Sequence, residues 1–394
     1  MALLSSLKRR FMSLWNPPGF QPVFFTMESL HLARAYYVAA ELGIADLLAE
    51  RPRDIADLAA ATGTDPTSLF RMLRALAAFG VFAQDRQGRF CMTRRARVLL
   101  SDSPGSLRSW VRLMGRPEIW QGHARTLEAV KTGTAPFELA HGEPFYQYLA
   151  GHRETREAFF AGLGCWTEWQ SREIVKAYDF GRFATIMDVG GGTGSLLSHI
   201  LLANPKGRGI LFDRPETLRL AEQRFAAAGL GDRCRAVAGT FFDALPRGAD
   251  ACIIKNTLCD CSDENAARLL SNCHTAMEPG GTLLVIDAVV DPRSGRDRIV
   301  KLLDLEISSL LPGGMRTAAE LVALAERCGF GQIKVHPTAA VDIQIIEAVT
   351  TTETVAAAEA RVNREAEPAR LKVAVPLPVV PAVPAPARSA VTAG

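Results

Sequence analysis

Between residues 27 and 100, apolar side chains recur every three or four positions, which is the spacing of amphipathic helices. One such run, Leu32 to Leu42, is followed by Gly43, a residue type that commonly ends a helix. Another helix is predicted to begin at Thr64-Asp65-Pro66, where a capping side chain precedes a proline in the first turn. Alternating positions over 80–93 then predict a short hairpin with its turn at 85–88. Helices followed by such a hairpin indicate a winged helix.

From residue 184 onward, short apolar runs alternate with helical segments. Strands are predicted at 185–189, 209–212, 235–237, 251–254 and 282–286, with helices at 196–202, 215–228 and 265–277 between them. This alternation is typical of a parallel sheet covered by helices on both faces. Two further runs, 332–335 and 343–347, are expected to add a terminal hairpin. The predicted fold class is therefore α/β, a Rossmann-like doubly wound sheet behind an N-terminal winged-helix domain.

Shifts in composition divide the chain into five expected segments. They are a basic amphipathic arm at 1–26, the winged-helix domain at 27–105, a helical linker or substrate lid at 106–180, the doubly wound domain at 181–350 and a disordered Ala/Pro-rich tail at 351–394. The arm has no acidic residue and carries Lys8, Arg9 and Arg10 among apolar side chains. We expect it to pack on a partner subunit; contact with a membrane surface and a transit-like role remain alternatives.

Composition changes this picture little. The chain has 394 residues, 48% of them hydrophobic, and a net charge of +3, as in ordinary globular proteins. Near-neutral charge argues against nucleic-acid binding, so a DNA-binding winged helix is kept only as a minor alternative. Eight cysteines in so long a chain favour reduced thiols and a cytoplasmic location over a disulfide framework. No apolar run approaches the roughly 20 residues of a transmembrane helix.

A glycine-rich turn, Asp188 to Gly194, lies between a predicted strand and a predicted helix. Glycines at 190 and 192 allow a tight turn and the close approach of a ligand, and the following helix offers free N–H groups. Asp213 ends the next strand, where a carboxylate can accept hydrogen bonds from two ribose hydroxyls. Thr240 and Phe241 end the third strand, where an adenine ring can stack. A dinucleotide site remains the main alternative for the turn, and a helix cap for Asp213.

Further motifs make the chain resemble the dimeric small-molecule O-methyltransferases, the family of plant caffeate-type and bacterial polyketide and carotenoid methylases. The matching segments are Tyr178-Asp-Phe180, Asp188 to Gly194, Phe241-Phe242, Ala249 to Asp263, Met277 to Gly281, Leu302 to Leu305, Gly313-Gly314 and Arg316-Thr317. The resemblance covers roughly residues 25–350. It implies S-adenosylmethionine as cofactor, a small-molecule methyl acceptor and a homodimer. It also implies cofactor contacts at Gly190, Gly192, Asp213, Phe241 and Lys255.

The chain departs from the family at the position of its general base. Family members typically have a histidine where this chain has Cys259, followed here by Asp260. Met315 stands where plant members have a glutamate, and Asp287 matches another family glutamate. A phenol benefits from a base by about 100-fold, and an unperturbed thiol is a poor one. Cys259, Asp260 and Asp287 are the candidate catalytic residues.

Three kinds of chemistry remain open at this stage. The first is transfer of a methyl group to a hydroxyl with a substitute base. The second is methylation of sulfur or nitrogen, for example in a methylthio-hydroxyacid, because a thioether has no proton to lose. The third is a family member that binds the cofactor without transferring its methyl group.

Aromatic residues ahead of the first strand of the sheet are candidates for the acceptor pocket. We expect Tyr146, Trp166 and Trp169 there, together with Met315. The Cys259-x-Cys261 pair lacks a second close pair of ligands, so core packing is favoured over a zinc site and no metal is expected.

Overall fold

The computed structural model describes residues 20–103, 105–295, 297–340 and 343–358. Most of the expected basic arm, residues 1–19, and most of the expected tail, residues 359–394, lie outside the described residues. The first described helix already starts at Phe20 and so crosses the expected arm boundary at residue 26. At the other end, the described chain continues past the last strand to Ala358, which is buried.

The N-terminal domain consists of four helices and a two-stranded wing. Its elements are α1 (Phe20–Glu41), α2 (Ile44–Glu50), α3 (Ile55–Thr62), α4 (Pro66–Ala78), β1 (Phe82–Gln84) and β2 (Phe90–Met92). The wing strands pair antiparallel, as the alternation predicts. Asp65 caps α4 by accepting a hydrogen bond from the Ser68 N–H at 2.7 Å, so the predicted helix start is confirmed. Gly43 separates α1 from α2 in a left-handed conformation.

One face of α1 is apolar and exposed. Its exposed apolar side chains are Phe20, Val23, Phe24, Phe25, Met27 and Leu30. Five of these side chains, all except Phe25, lie on one side of the helix, and apolar patches of this kind mark surfaces that contact another protein. No described helix is both long enough and apolar enough to cross a membrane.

Six helices connect the N-terminal domain to the sheet. They are α5 (Arg108–Met114), α6 (Pro117–His123), α7 (Thr126–Thr132), α8 (Pro136–His141), α9 (Phe145–Gly151) and the long α10 (Arg153–Ala177). Together with the end of a later helix they enclose an aromatic core. Its buried members are Leu113, Ile119, Phe137, Phe145, Leu149, Phe159, Leu310 and Leu311. This core lies beside the sheet and forms one wall of the cavity described below.

The C-terminal part is a seven-stranded sheet with helices on both faces. Its elements are β3 (Thr185–Val189), α11 (Ser195–Ala203), β4 (Arg208–Asp213), α12 (Pro215–Ala227), β5 (Cys234–Ala238), β6 (Ala251–Lys255), α13 (Asp263–Ala276), β7 (Thr282–Ala288), α14 (Arg298–Leu310), α15 (Ala318–Arg327), β8 (Phe330–Pro337) and β9 (Ile343–Thr350). The strand order is β5-β4-β3-β6-β7-β9-β8. The first five strands are parallel, and β8 and β9 form an antiparallel hairpin against β7. The predicted doubly wound α/β fold is confirmed.

The strand order determines where a ligand can bind. After β3 the chain adds β4 and β5 on one side, then returns to place β6 and β7 on the other side of β3. The chain leaves β3 and β6 in opposite directions, which opens a crevice outside their carboxyl ends. The glycine turn follows β3, Asp213 ends β4 and Lys255 ends β6. The sheet topology therefore collects the predicted cofactor residues at one edge.

Candidate active site

The glycine turn after β3 has the backbone that its sequence suggests. Gly190, Gly192 and Gly194 have φ values of 73°, 57° and 72°, a region that side chains with a Cβ rarely adopt. A Cβ at position 190 would also lie 3.0 Å from the Thr257 hydroxyl oxygen. The turn therefore needs glycine at 190 both for its dihedral angles and for the close approach of the β6 loop.

Asp213 at the end of β4 is joined to this turn by its carboxylate. One carboxylate oxygen accepts a hydrogen bond from the Gly192 N–H at 2.7 Å, and the other accepts one from the Arg214 N–H at 2.6 Å. Burial raises the pKa of Asp213, and these backbone hydrogen bonds oppose that rise. The carboxylate lines the cavity and keeps lone pairs free for a ligand, so it can accept hydrogen bonds from two vicinal hydroxyls.

Three buried ionisable groups lie at the strand ends: Asp188 and Lys255 line the cavity, and Asp287 does not. Burial raises the pKa of Asp188 on β3 to about 7 and that of Asp287 on β7 to about 6. Burial lowers the pKa of Lys255, which lies on β6 between these two strands, to about 8. Each charge compensates part of the desolvation of its neighbours. The strand ends at the cavity therefore carry three buried charged groups that stabilise one another, where an apolar layer would be usual.

The segment after β6 holds Cys259 and Asp260, two of the candidate catalytic residues. It contacts a tyrosine that is distant in the chain. A short turn of 3₁₀ helix, Leu258–Asp260, carries both candidate residues. The Tyr146 hydroxyl on α9 donates a hydrogen bond to the Asp260 carboxylate at 2.5 Å, and the Cys259 thiol lies 3.7 Å from the same carboxylate. Burial raises the pKa of Asp260 to about 7, although the Tyr146 hydrogen bond acts to lower it. Asp260 therefore has a carboxyl group that changes charge near neutral pH.

The two other candidate catalytic residues have different surroundings. Burial raises the pKa of the Cys259 thiol well above its usual range, and the nearby carboxyl groups of Asp287 and Asp260 raise it further. Asp287 accepts a hydrogen bond from the Ala288 N–H at 2.9 Å and does not line the cavity. The thiol is thus protonated at neutral pH, and Asp287 acts from outside the cavity.

The loop between α14 and α15 supports the Asp260 segment. Gly313 packs so closely that a Cβ there would overlap the Cys259 carbonyl oxygen and the backbone of Asp260. The Arg316 guanidinium donates hydrogen bonds to the carbonyl oxygens of Leu258, at 2.6 Å, and Cys261, at 2.9 Å. These contacts hold the segment from its outer side and leave the Asp260 carboxyl directed into the cavity.

We expect Gly313→Ala to reduce both stability and turnover. Overpacking of this kind typically costs about 1–3 kcal/mol, and a small displacement of a reacting group can lower a rate by roughly tenfold or more. Thermal unfolding and steady-state turnover would measure the two effects. Gly231→Ala is the matched control because a Cβ at that position meets nothing within 4 Å. Wild-type turnover in Gly313→Ala would show that this packing does not position Asp260.

A cavity of about 270 Å³ joins the strand ends to the aromatic helical core. One wall is formed by the glycine turn and the ends of β4 and β6. The other is mostly apolar, and its main residues are Trp110, Leu113, Met114, Tyr146, Phe159, Phe160, Trp166, Ile307, Leu310, Leu311 and Met315. Trp110 and Trp166 meet edge to face with ring centroids 5.7 Å apart. The cavity can hold a polar nucleoside at one end and a flat apolar ligand at the other.

Most residues predicted for the site meet at this cavity. Those that line it are Asp188, Gly190, Gly192, Asp213, Phe241, Lys255, Cys259, Asp260, Tyr146, Trp166 and Met315. Two others do not. The Thr240 hydroxyl donates to Asp243 at 2.7 Å and the side chain is exposed, because it caps the loop after β5. Trp169 lies three positions after Trp166 on α10, and its side chain is 39% exposed outside the cavity.

Many lining residues were absent from the sequence prediction, and three of them, Arg214, Asn256 and Glu306, carry polar groups that matter for the site. Arg214 places its guanidinium 4.7 Å from the ring centroid of Tyr146, and Glu306 lines the wall from α14. Asn256 has a φ of 48°, and its amide N–H donates to the Gln170 side chain at 3.3 Å. Nothing local distinguished Arg214 or Asn256. Glu306 gave no usable signal either, because its segment 302–311 also contains Asp304, Ser308 and Ser309.

Three polar atoms of the cavity wall are buried without a hydrogen-bond partner among the described residues. They are Asp188 Oδ1, Asn256 Oδ1 and Trp166 Nε1. Burying such atoms unpaired is costly, so a bound ligand with matching groups would be favoured there. Two acceptors and one donor suit the ammonium and carboxylate groups of an amino acid, while Asp213 suits a ribose. The residues present therefore fit an adenosyl amino acid.

No cluster of three or more metal-ligating side chains occurs in the described ranges. Cys261 donates to the Thr257 carbonyl oxygen, and Cys252 packs 3.5 Å from Cys273 in the core. These thiols therefore make contacts within the protein interior.

Family comparison agrees with the architecture in both halves of the chain. Residues 26–102 match the model of an O-methyltransferase dimerisation domain, and residues 123–331 match that of an O-methyltransferase domain. The chain is 39% identical over 317 residues to a phenazine O-methyltransferase of Lysobacter antibioticus, covering 80% of this chain and 92% of the relative. It is 36% identical over 316 residues to a mitomycin biosynthesis 6-O-methyltransferase of Streptomyces lavendulae, covering 80% and 90%.

A third relative acts on nitrogen. It is an 8-amino-8-demethylriboflavin N,N-dimethyltransferase of Streptomyces davaonensis, 36% identical over 312 residues, covering 78% of this chain and 89% of the relative. Among solved structures, the mitomycin 7-O-methyltransferase superposes with a TM-score of 0.81 at 34% identity, covering 86% of this chain and 100% of that chain. An O-methyltransferase of neocarzinostatin biosynthesis, solved with S-adenosylmethionine and a hydroxynaphthoic acid, superposes with a TM-score of 0.73 at 30% identity. The match covers 82% of this chain and 98% of that chain.

Proposed function

The chain belongs to the O-methyltransferase family that carries an N-terminal dimerisation domain, and from this premise we propose that its acceptor is a hydroxyl on a flat aromatic small molecule. The enzyme is an S-adenosylmethionine-dependent methyltransferase, and O-methylation is favoured by the relatives that it matches. The observation that carries the proposal is a single cavity that combines an aromatic wall with Asp260, a buried carboxyl group that ionises near pH 7.

The shape and chemistry of the acceptor end favour a ring system. Trp110, Trp166, Phe159, Phe160 and Tyr146 all contribute to the cavity wall. Aromatic side chains pack best against flat apolar surfaces, where ring contacts add about 0.5–1.5 kcal/mol beyond the area buried. A small aliphatic hydroxyacid would leave much of this wall without contact. We therefore place a polycyclic aromatic acceptor here.

Asp260 is the residue that we assign as general base. When bound, the cofactor supplies an electrophilic methyl group on a sulfonium. The acceptor oxygen that would take up this methyl group must lose its proton, and the Asp260 carboxylate would accept that proton. A base with a pKa near the working pH combines an adequate ionised fraction with useful basicity. The Tyr146 hydroxyl occupies Oδ2 of Asp260, and the carboxylate keeps further lone pairs for the acceptor hydroxyl.

Cys259 and Asp287 are assigned supporting roles. The Cys259 thiol is held protonated by burial and by two neighbouring carboxyl groups, so it fills the position of the family histidine without accepting a proton. Asp287 interacts electrostatically with Lys255 and Cys259 and supports the strand ends beside Asp260. Removal of either is expected to change geometry more than proton transfer.

The cofactor is assigned to the strand-end wall. Asp213 would accept hydrogen bonds from the ribose hydroxyls, with Gly190 and Gly192 allowing the backbone to approach. Phe241 would contact the adenine ring. Asp188 and Asn256 would accept hydrogen bonds from the ammonium group, because each has a buried oxygen without a partner among the described residues. Lys255 supports this wall from the end of β6.

Nitrogen remains a second candidate acceptor atom because one relative is an N,N-dimethyltransferase. A base that ionises near pH 7 is useful for an acceptor with a proton to lose, whether a phenol or an aromatic amine. It offers nothing to a thioether, so sulfur methylation is not favoured.

Radiolabelled methyl transfer tests the acceptor class. A panel of 1-naphthol, 1-naphthylamine, 1-methoxynaphthalene and methyl naphthyl sulfide presents one ring system with four reacting groups. We expect label on naphthol first, weaker label on the amine and none on the ether or the sulfide. Label on the sulfide alone would contradict the hydroxyl assignment and the role of Asp260 together.

The dimerisation domain supports a homodimer, and we place its interface on the apolar face of α1. We also propose a cytoplasmic location, in keeping with the free thiols of the described chain.

A further inference from the structure

Glu306 is a carboxylic acid set into the apolar wall of the acceptor end. It lies on α14, three positions after Leu303 and four before Leu310, and all three side chains line the cavity. Residues three and four apart share one face of a helix. Leu310 and Ile307 also belong to the aromatic core that contains Phe159. This placement puts Glu306 among the residues that would touch the acceptor ring and away from the glycine turn.

The carboxyl group lacks compensation from its surroundings. Burial raises the pKa of Glu306 to about 7, and no neighbouring charge or hydrogen bond in the described residues opposes that rise. Asp260 differs, because it accepts a hydrogen bond from Tyr146 and is near Arg214. A carboxyl group placed in an apolar cavity loses hydration, and a matching donor recovers part of that loss. The transfer chemistry assigned above makes no use of it.

The position of Glu306 suits the binding of a hydrogen-bond donor on a ligand better than it suits a role in stabilising the fold. Among the described residues, the Glu306 side chain has no hydrogen bond or ion pair that would hold α14 in place, and leucine or methionine would continue the apolar wall. Its carboxylate has two oxygens that accept hydrogen bonds and none that donate when ionised. The complementary ligand group is therefore an N–H or O–H donor on the acceptor itself.

We propose that Glu306 determines acceptor specificity by binding a second hydrogen-bond donor, a hydroxyl or amine remote from the group that is methylated. The proposal rests on the aromatic acceptor proposed above. It adds that the acceptor carries two polar groups, one at Asp260 and one at Glu306. A ring held at two points has fewer orientations in which the wrong position faces the methyl group.

Binding to the dimeric enzyme saturated with S-adenosylhomocysteine tests this without requiring turnover. Calorimetry would compare 1-naphthol and 2-naphthol with 1,5-dihydroxynaphthalene, 2,7-dihydroxynaphthalene and 5-amino-1-naphthol. We expect at least one two-donor compound to bind wild type about 10-fold or more tightly than the naphthols, as hydrogen bonds to charged groups predict. Glu306→Leu should abolish this preference while keeping or improving naphthol binding. The comparison of amino and dihydroxy compounds identifies the preferred donor.

Two further variants separate recognition from folding. Glu306→Gln keeps a hydrogen-bond acceptor without the charge, so its preference should be intermediate. Glu222→Leu, on the exposed surface of α12, should leave the preference intact. If Glu306→Leu weakens the binding of one-donor and two-donor compounds equally, the proposal is overturned in favour of a structural role. If wild type binds two-donor compounds no more tightly than naphthols, the proposal is also overturned.

The same samples distinguish the two proposals. Two-donor preference without methylation of any naphthol or dihydroxynaphthalene would refute the proposed hydroxyl as the methylated group and leave the Glu306 assignment standing. Methylation of naphthols without tighter binding of the two-donor compounds would refute the Glu306 assignment and leave the hydroxyl acceptor standing.

Discussion

Asp260→Asn is expected to lower kcat by about 100-fold or more at pH 8, with little change in affinity for S-adenosylhomocysteine. General-base catalysis typically contributes about 10²–10⁴-fold, and an asparagine of nearly the same shape accepts no proton. Asp260 is buried beside the acceptor end and accepts a hydrogen bond from Tyr146, so the substitution preserves size and packing. Single-turnover methyl transfer and calorimetry with the demethylated cofactor would measure the two quantities separately.

The pH dependence of kcat provides a second test of Asp260 as the general base. The charged or titratable groups that influence Asp260 are Tyr146, Asp287, Cys259 and Arg214. Because burial raises the Asp260 pKa to about 7, the active carboxylate is lost as pH falls through that value. Wild-type kcat should therefore decline below about pH 7 with the slope of one proton. In Asp260→Asn this decline should disappear.

Cys259→Ser is the matched control for the base assignment. The thiol lies one residue away and is also buried at the cavity, but its pKa is raised far above neutrality. Serine should keep the acidic limb of the pH profile and most of the turnover. If the decline in kcat below pH 7 disappears in Cys259→Ser and persists in Asp260→Asn, the thiol accepts the proton and the Asp260 mechanism is refuted.

Asp213→Ala is expected to weaken S-adenosylhomocysteine binding by about 100-fold or more. Each hydrogen bond from a ribose hydroxyl to a carboxylate contributes about 1.5–3 kcal/mol, so the loss of two has a large combined effect. The variant also removes the acceptor for the Gly192 N–H, which is 2.7 Å from the carboxylate, and so loosens the glycine turn. Calorimetric titration with the nucleoside would measure the change.

Asp243→Ala is the matched control for this second prediction. Asp243 caps the loop after β5 through Thr240, and it does not line the cavity. Its removal should leave nucleoside affinity within about twofold of wild type. Equal affinities for the nucleoside in wild type and Asp213→Ala would remove the ribose assignment, even though the fold and the family would stand.

The sequence predicted the fold well because its signals are local. Every predicted strand corresponds to a strand of the sheet, and the predicted strand at 185–189 agrees with β3 at both ends, whereas β8 and β9 are longer than the runs 332–335 and 343–347. The Asp65-Pro66 helix start is equally local, since a cap and a proline act within one turn. Parallel topology then follows from the alternation of strands and helices, and the predicted hairpin 332–335 with 343–347 forms the sheet edge.

The sequence predicted which residues meet at the strand ends better than which residues of the helical wall line the cavity, for a related reason. Residues that follow parallel strands lie at one sheet edge whatever else the chain does, so Gly190, Asp213 and Lys255 could be placed together in advance. The acceptor wall is built from separate helices whose rotation is set by packing. Trp166 and Trp169 were therefore indistinguishable by sequence, yet only Trp166 lines the cavity.

The sequence by itself determined the order of strands and helices, the glycine turn, the carboxylate that ends β4 and the loss of the family histidine at Cys259. Only the tertiary structure decided which carboxyl groups lie at the cavity beside Cys259. Tyr146 and Asp260 are 114 positions apart, and their contact depends on α9 packing over the end of β6. The ionisation of Asp260 and Glu306 depends in turn on burial, because removing water raises a carboxyl pKa. Burial is created by residues distant in the chain, so no local pattern could encode it.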